Sequence, residues 1–290
     1  MSWFFFAIST AFLESVRDIF NKKAISKVDE YVGTLSLNLL TAIFSLPLLL
    51  LNDIPSLGNN FIYAVIAIGI LNTTAYILFF KAIKASDLSI VAPITTFSPL
   101  LLLVTSPFIV GEFPNAVGIL GIFIIVIGAY VLKFQDKSRG YLFPLKSLFN
   151  ETGARLMFGV VLVWSISANV DKIGVQNSSP IMWAVAGHLS VAIFCLPILF
   201  IKSKPNIQNI KSSSRNLILI GLTNALAIIC QMTALKLALV SYVIAVKRTS
   251  GLFNVLWGWL IFKEQDITER IAGSMIMILG VAVITLSKMV

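Results

Sequence analysis

Long apolar stretches separated by short polar breaks run the length of the chain. Ten of them approach the roughly 20 residues that a helix needs to cross a hydrocarbon core of about 30 Å. Their limits are 3–22, 31–51, 61–81, 88–110, 115–134, 155–173, 181–201, 216–235, 239–262 and 270–288. The pattern predicts an all-α integral membrane protein of ten transmembrane helices.

The pattern also repeats. Residues 42–50 read AIFSLPLLL and residues 192–200 read AIFCLPILF, with six of nine letters identical. At this offset of 150, Ser15 meets Ser165, Lys22 meets Lys172, Asn38 meets His188 and Pro47 meets Pro197. After the next loop the offset becomes 152, and Gly69 meets Gly221, Asn72 meets Asn224, Glu112 meets Glu264, Gly121 meets Gly273 and Gly128 meets Gly280. The chain therefore divides into a first five-span repeat at 1–135, a linker at 136–154 and a second repeat at 155–290. An odd number of spans makes the second repeat enter the membrane from the opposite side, so the repeats are expected to be inverted.

Loop charges give an orientation, because short cytoplasmic loops collect Lys and Arg. Of the 22 basic residues, 16 lie in or beside the loops after spans 1, 3, 5, 7 and 9. Three lie on the other side and three (Arg17, Lys247, Arg248) inside spans, which puts both termini outside the cytoplasm.

Composition agrees with the pattern. Apolar residues make up 58% of the chain and charged residues 12%, against about 45–50% and about 25% in soluble domains; mean hydropathy is +0.93. This implies a multi-pass protein of the inner or plasma membrane. The net charge of +9 is read as topogenic and facing anionic headgroups, with membrane lipids as partners and no nucleic acid. Cys195 and Cys230 fall inside spans and imply no disulfide framework. The apolar start MSWFFFAISTAFL lacks a basic lead and belongs to a repeated unit, so it is expected to be a retained first span.

The glycine-punctuated spans and the acid closing the fourth span of each half (VGEFPNAVGILGIFIIVIGAYVL and FKEQDITERIAGSMIMILGVAVITL) resemble the EamA-type branch of the drug/metabolite transporter superfamily. Trp164, Ser165 and Lys172, and ALKLALVSYVIA before span 9, extend a likeness that covers nearly the whole chain. The resemblance implies export or exchange of small metabolites through a central cavity. Where the family usually carries Trp early in span 1 this chain has Glu14, and the orientation read from the loops is opposite to the arrangement commonly described.

A charge at the bilayer centre costs at least about 2.5–3.5 kcal/mol, so ionisable residues kept there are candidate functional groups. Lys247 and Arg248 come first: counting from Leu239, Lys247 lies about 12 Å inside its span, and Gly251 could loosen the helix there. The Arg fork and the Lys point charge suit a carboxylate or phosphate; alternatively both snorkel or pair with acids. Plant-type phosphate antiporters of the same superfamily also bear a late Lys-Arg pair, a resemblance confined to the dipeptide and its span.

Glu14 and Asp18 share one helix face, with Arg17 beside it. The carboxylates would relay protons or neutralise Lys247 and Arg248 in an empty cavity, with Asp18 and Lys22, one turn further along the same face, alternatively plain interfacial residues; Asp171 is a further charge-balance candidate. Asn72, Asn224, Trp164 and His188 are candidate substrate contacts, with helix-to-helix hydrogen bonding as the alternative and His188 read as packing or as a proton switch. Pro93 and Pro99 bracket ITTFS and make span 4 a candidate gating helix.

One His and the absence of HExxH, GxSxG or a P-loop argue against an enzyme, and no metal site or cofactor is expected. The reading is a secondary transporter, exporter or exchanger, of a small anionic or zwitterionic metabolite such as an amino acid or organic acid, working by alternating access, with a homodimer as a candidate assembly. The alternative is a flippase for a lipid or lipid-linked headgroup.

Overall fold

The structure, a computed structural model, describes residues 2–24, 29–86, 88–133, 140, 142–203, 207–261 and 268–287, without the side chains of 21–24, 30, 88–89, 133, 207 and 268–270. Glu264, the repeat mate of Glu112, and the side chain of Lys22 lie outside these described residues.

Every regular element among them is helical. In chain order they are α1 (Ser2–Ala24), α2 (Glu30–Leu50), α3 (Phe61–Ala85), α4 (Leu88–Ile94), a 3₁₀ turn (Thr95–Phe97), α5 (Ser98–Ile109) and α6 (Ala116–Lys133). The second half supplies α7 (Phe143–Asn150), α8 (Thr152–Gln176), α9 (Pro180–Lys202), α10 (Ile207–Leu237), α11 (Val240–Lys247), α12 (Ser250–Leu260) and α13 (Thr268–Leu286). Local chemistry sets several boundaries. The Asp29 carboxylate accepts from the Tyr31 N–H at 2.9 Å and opens α2, and the Ser179 hydroxyl accepts from the Met182 N–H at 3.2 Å ahead of Pro180 at the start of α9. Both satisfy donors that a helix start leaves without intrahelical partners.

Among the described residues, six stretches are long and apolar enough to cross a membrane: Tyr31–Leu50, Phe61–Ala85, Ile90–Ile109, Thr152–Gln176, Pro180–Lys202 and Gln208–Leu237. Apolar stretches Ala116–Leu132 and Ile271–Leu286 are shorter. The other two of the ten expected spans differ for physical reasons. α1 carries Glu14, Arg17 and Asp18 within one turn and a half, which lowers its apolarity. The expected span at 239–262 is two pieces, α11 and α12, parted at Arg248 and Thr249. The expected linker also holds α7.

The chain forms two compact units, Thr74–Asn169 with Ala238–Val290, and Ser2–Thr73 with Val170–Leu237. Each draws on both halves of the sequence. In the first unit α6 lies against α13 through glycines. A Cβ on Gly121 would sit 3.0 Å from the Gly280 carbonyl oxygen and one on Gly128 2.8 Å from that of Gly273; the reverse distances are 2.9 and 2.8 Å. The ascending numbers on one helix face descending numbers on the other, so the repeat mates cross antiparallel, glycine to glycine. Small residues allow such backbone approach where lipid supplies no hydrophobic drive. A separate core of Ala82, Ile90, Val91, Ile94, Ala154, Met157, Val160 and Val161 joins the end of α3, α4 and the start of α8.

The second unit packs α1 on α10, and α2 on both α9 and α10. Its contacts also come in repeat-related pairs. A Cβ on Gly69 would meet the Ser190 hydroxyl on α9, and one on Gly221 would meet Leu40 on α2. The Ser190 hydroxyl donates to the Val65 carbonyl at 2.7 Å.

Candidate functional site

Two repeat-related helices of the first unit are interrupted at matching places. Between Pro93 and Pro99 the α4–α5 span tightens into the Thr95–Phe97 3₁₀ turn. At the offset of 152, α11 gives way to α12 at Arg248 and Thr249, where the Thr249, Gly251 and Leu252 N–H groups bond carbonyls three residues back at 2.9, 3.2 and 2.9 Å. Threonine hydroxyls serve both breaks. Thr95 donates to the Ala92 carbonyl at 2.8 Å, Thr96 to that of Pro93 at 2.6 Å and Thr249 to that of Val246 at 2.6 Å. Such side-chain bonds compensate backbone carbonyls where a buried helix departs from its regular ladder.

The break in the second half carries the cations. Lys247 closes α11 and Arg248 follows it; both side chains are half-buried. The Arg248 guanidinium donates to the Ser98 hydroxyl, through Nε at 3.1 Å and also through an Nη nitrogen. Ser98 is the first residue of α5, so it holds the arginine fork at the point where the other broken helix restarts. Gly251 is buried as the second residue of α12, where a Cβ would come 3.4 Å from Leu132. The break itself precedes it. Trp164 lies on α8, its ring 5.7 Å from that of Phe79, against the α4 and α8 core.

Glu112 has a defined task in the same unit. Its carboxylate accepts from the Val240 N–H at 2.8 Å, capping α11 from a distant segment, since Leu239 at the cap position offers no side-chain bond. An anion is favoured at that end of a helix.

The remaining candidates belong to the second unit. Arg17 stands between Glu14 (3.5 Å) and Asp18 (3.4 Å) on its own helix and donates to the Asn224 amide oxygen at 2.7 Å. The Asn224 amide nitrogen donates to the Thr41 hydroxyl at 2.8 Å, and that hydroxyl donates to the Leu37 carbonyl at 2.7 Å. One chain of bonds thus ties α1, α10 and α2. Glu14 and Arg17 are the more enclosed, at 12% and 20% side-chain exposure, and Asp18 is wetter at 41%. Asn72 is half-buried on α3.

His188 and its repeat mate make the same local bond. His188 Nδ1 meets the Ala184 carbonyl at 3.1 Å and the Asn38 amide donates to the Thr34 carbonyl at 2.8 Å, each four residues back. Asp171 accepts from the Trp183 indole N–H at 2.8 Å. The neighbouring Lys172 is buried and donates to the Leu235 carbonyl at 2.6 Å, in the last turn of α10, where a cation complements the helix dipole.

Sequence reasoning did not single out Ser98 and Thr41 and gave Glu112 no role. A serine directly before a helix-breaking proline, in the span already marked for gating, was the available signal for Ser98.

Three comparisons with known proteins bear on this geometry. The model of the EamA-like transporter family matches residues 1–134 and, a second time, residues 151–286. A solved structure described as "Crystal structure of protein" shares the fold, with a TM-score of 0.79 over 99% of this chain and 98% of its own, at 16% identity. Among curated proteins no sequence match is found.

Proposed function

Because the chain belongs to the EamA-like transporter family, we propose that it is a secondary transporter, an exporter or exchanger, of a small anionic or zwitterionic metabolite such as an amino acid or organic acid. Membership makes it a multi-pass integral membrane protein of the drug/metabolite transporter superfamily, a family of transporters rather than enzymes. Ten membrane crossings, arranged as inverted repeats 1–135 and 155–290 joined at 136–154 and with both termini outside the cytoplasm, complete the reading. The antiparallel glycine contact of α6 with α13 supports the inversion.

One observation carries the substrate class. Repeat-mate helices break at equivalent positions, and one break bears Lys247 and Arg248 with Ser98 holding the guanidinium. Discontinuous helices near midplane are where transporters of this general design bind charged groups, and a lysine and arginine together select a carboxylate or phosphate. Lys247 and Arg248 hold the acidic group, Asn72, Asn224, Trp164 and His188 are further substrate contacts, and Glu14, Arg17, Asp18 and Asp171 balance charge. Pro93, Pro99 and Gly251 give the broken helices their freedom as access alternates between the repeats.

A thermal-shift screen of the purified protein against amino acids, organic acids and sugar phosphates tests this. A ligand of the folded state raises its melting temperature by mass action. An organic anion is expected to stabilise the wild type and not Lys247→Gln/Arg248→Gln. An equal response in both proteins, or none in either, would remove the basic pair from the binding site and favour a lipid-linked substrate. A reporter fused to the C-terminus checks the orientation separately, and a cytoplasmic signal would reverse it.

A further inference from the structure

The short helix α7 keeps one face for its own unit and leaves the other bare. Pro144 and Ser147 are buried, and Phe143 and Leu148 pack on the α4 and α8 core. Leu142, just ahead of the helix, and Lys146 and Phe149 within it lie at i, i+4 and i+7 and so share the opposite face, with Leu142 60% and Phe149 83% exposed and Lys146 exposed. Exposed apolar side chains on a spanning helix face lipid as a matter of course. α7 is different, because its eight residues extend only about 12 Å and cross nothing.

Position says what covers this face. α7 ends at Asn150 and the apolar spanning helix α8 starts at Thr152, so Phe149 lies within one turn of the point where the chain enters the membrane. Charge says the same, since residues 133–155 hold Lys133, Lys137, Arg139, Lys146 and Arg155 against Asp136 and Glu151. Two large apolar side chains flanking a lysine, on a helix too short to span and beside a basic stretch, match the headgroup boundary of an anionic bilayer.

We propose that α7 is an interfacial anchor: Leu142 and Phe149 enter the acyl boundary, and Lys146 reaches the phosphates of anionic phospholipid. Its other face packs on α4, so the lipid surface bears directly on the first half of the broken α4–α5 span.

Nitroxide labels read this without a transport assay. In the full chain with Cys195→Ala and Cys230→Ala, Phe149→Cys is labelled and the protein placed in vesicles of phosphatidylcholine, alone or mixed at about three to one with phosphatidylglycerol. Collisional broadening is compared with a label at the loop position Ser56→Cys. Label 149 is expected to lose the broadening by a water-soluble nickel chelate seen at position 56 while keeping that by oxygen. Phosphatidylglycerol should deepen it, and adding Lys146→Glu should abolish the deepening. Chelate broadening equal to that at position 56 would overturn the anchor, and indifference to phosphatidylglycerol would overturn the anionic headgroup. A short dipolar distance between labels on two molecules would overturn the lipid assignment in favour of a second copy of the chain.

Discussion

Two pairs of repeat mates in the first unit have diverged in different ways. α6 and α13 kept their small residues: Gly121, Gly128, Gly273 and Gly280 face one another across an antiparallel crossing that leaves no room for a Cβ. The broken pair kept its backbone but not its chemistry. α4–α5 carries buried Thr95 and Thr96 at the break, whereas the matching positions before α12 carry Lys247 and Arg248. Duplication preserved what packing requires, and charge was placed on one side only.

Putting the same charge in the other repeat should break this contrast most severely. Thr96 has 0% exposure, so Thr96→Arg is expected to cost about 3 kcal/mol or more, read as loss of monodisperse protein and a lower melting temperature. If Thr96→Arg folds as well as the wild type, the two breaks are equivalent environments and the asymmetry has no structural cost. Gly128→Leu comes next. Its side chain would meet the Gly273 carbonyl and Met277, an overpacking worth about 3 kcal/mol, and normal thermal stability would show that the crossing is looser than its glycines indicate.

Glu112→Ala removes the cap from α11 and should cost about 1–2 kcal/mol, with faster hydrogen exchange at Val240. Glu112→Gln, which still offers an oxygen, should lose less. Smallest is the pair Thr96→Val and Thr249→Val, each deleting a hydroxyl bond to a carbonyl at its break. Each should cost about 1 kcal/mol in thermal unfolding. Unequal costs would show that the two breaks are stabilised differently as well as charged differently.

Much of the fold was legible in the sequence because the hydrophobic pattern is long-range and redundant. Ten apolar stretches and a repeated register each have a helical counterpart. Charge within α1, a break inside span 9 and the shortness of the α6 and α13 stretches leave, among the described residues, six that qualify by length and apolarity. The interruption of span 4 was marked by Pro93 and Pro99, but that of span 9 falls at Arg248 and Thr249, ahead of the Gly251 expected to loosen it. No proline marks that position, and the turn depends on i−3 backbone bonds and the Thr249 hydroxyl, which no local composition announces. The Glu14, Arg17 and Asp18 group was visible from its spacing. Its tie to Asn224 and Thr41 joins residues 207 and 183 positions apart and was not.

The sequence by itself determined the solvent this protein folds in, its helical class, its duplication and the inventory of charges a hydrocarbon core tolerates only with a reason. These follow from periodicity and transfer free energy, which act residue by residue along the chain. Only the tertiary structure decided that Ser98 holds Arg248, that Asn224 holds Arg17, that Glu112 caps α11 and that α7 bares one face. Those are pairings of polar groups, and where water is scarce each donor settles on whichever acceptor the packing brings within about 3 Å.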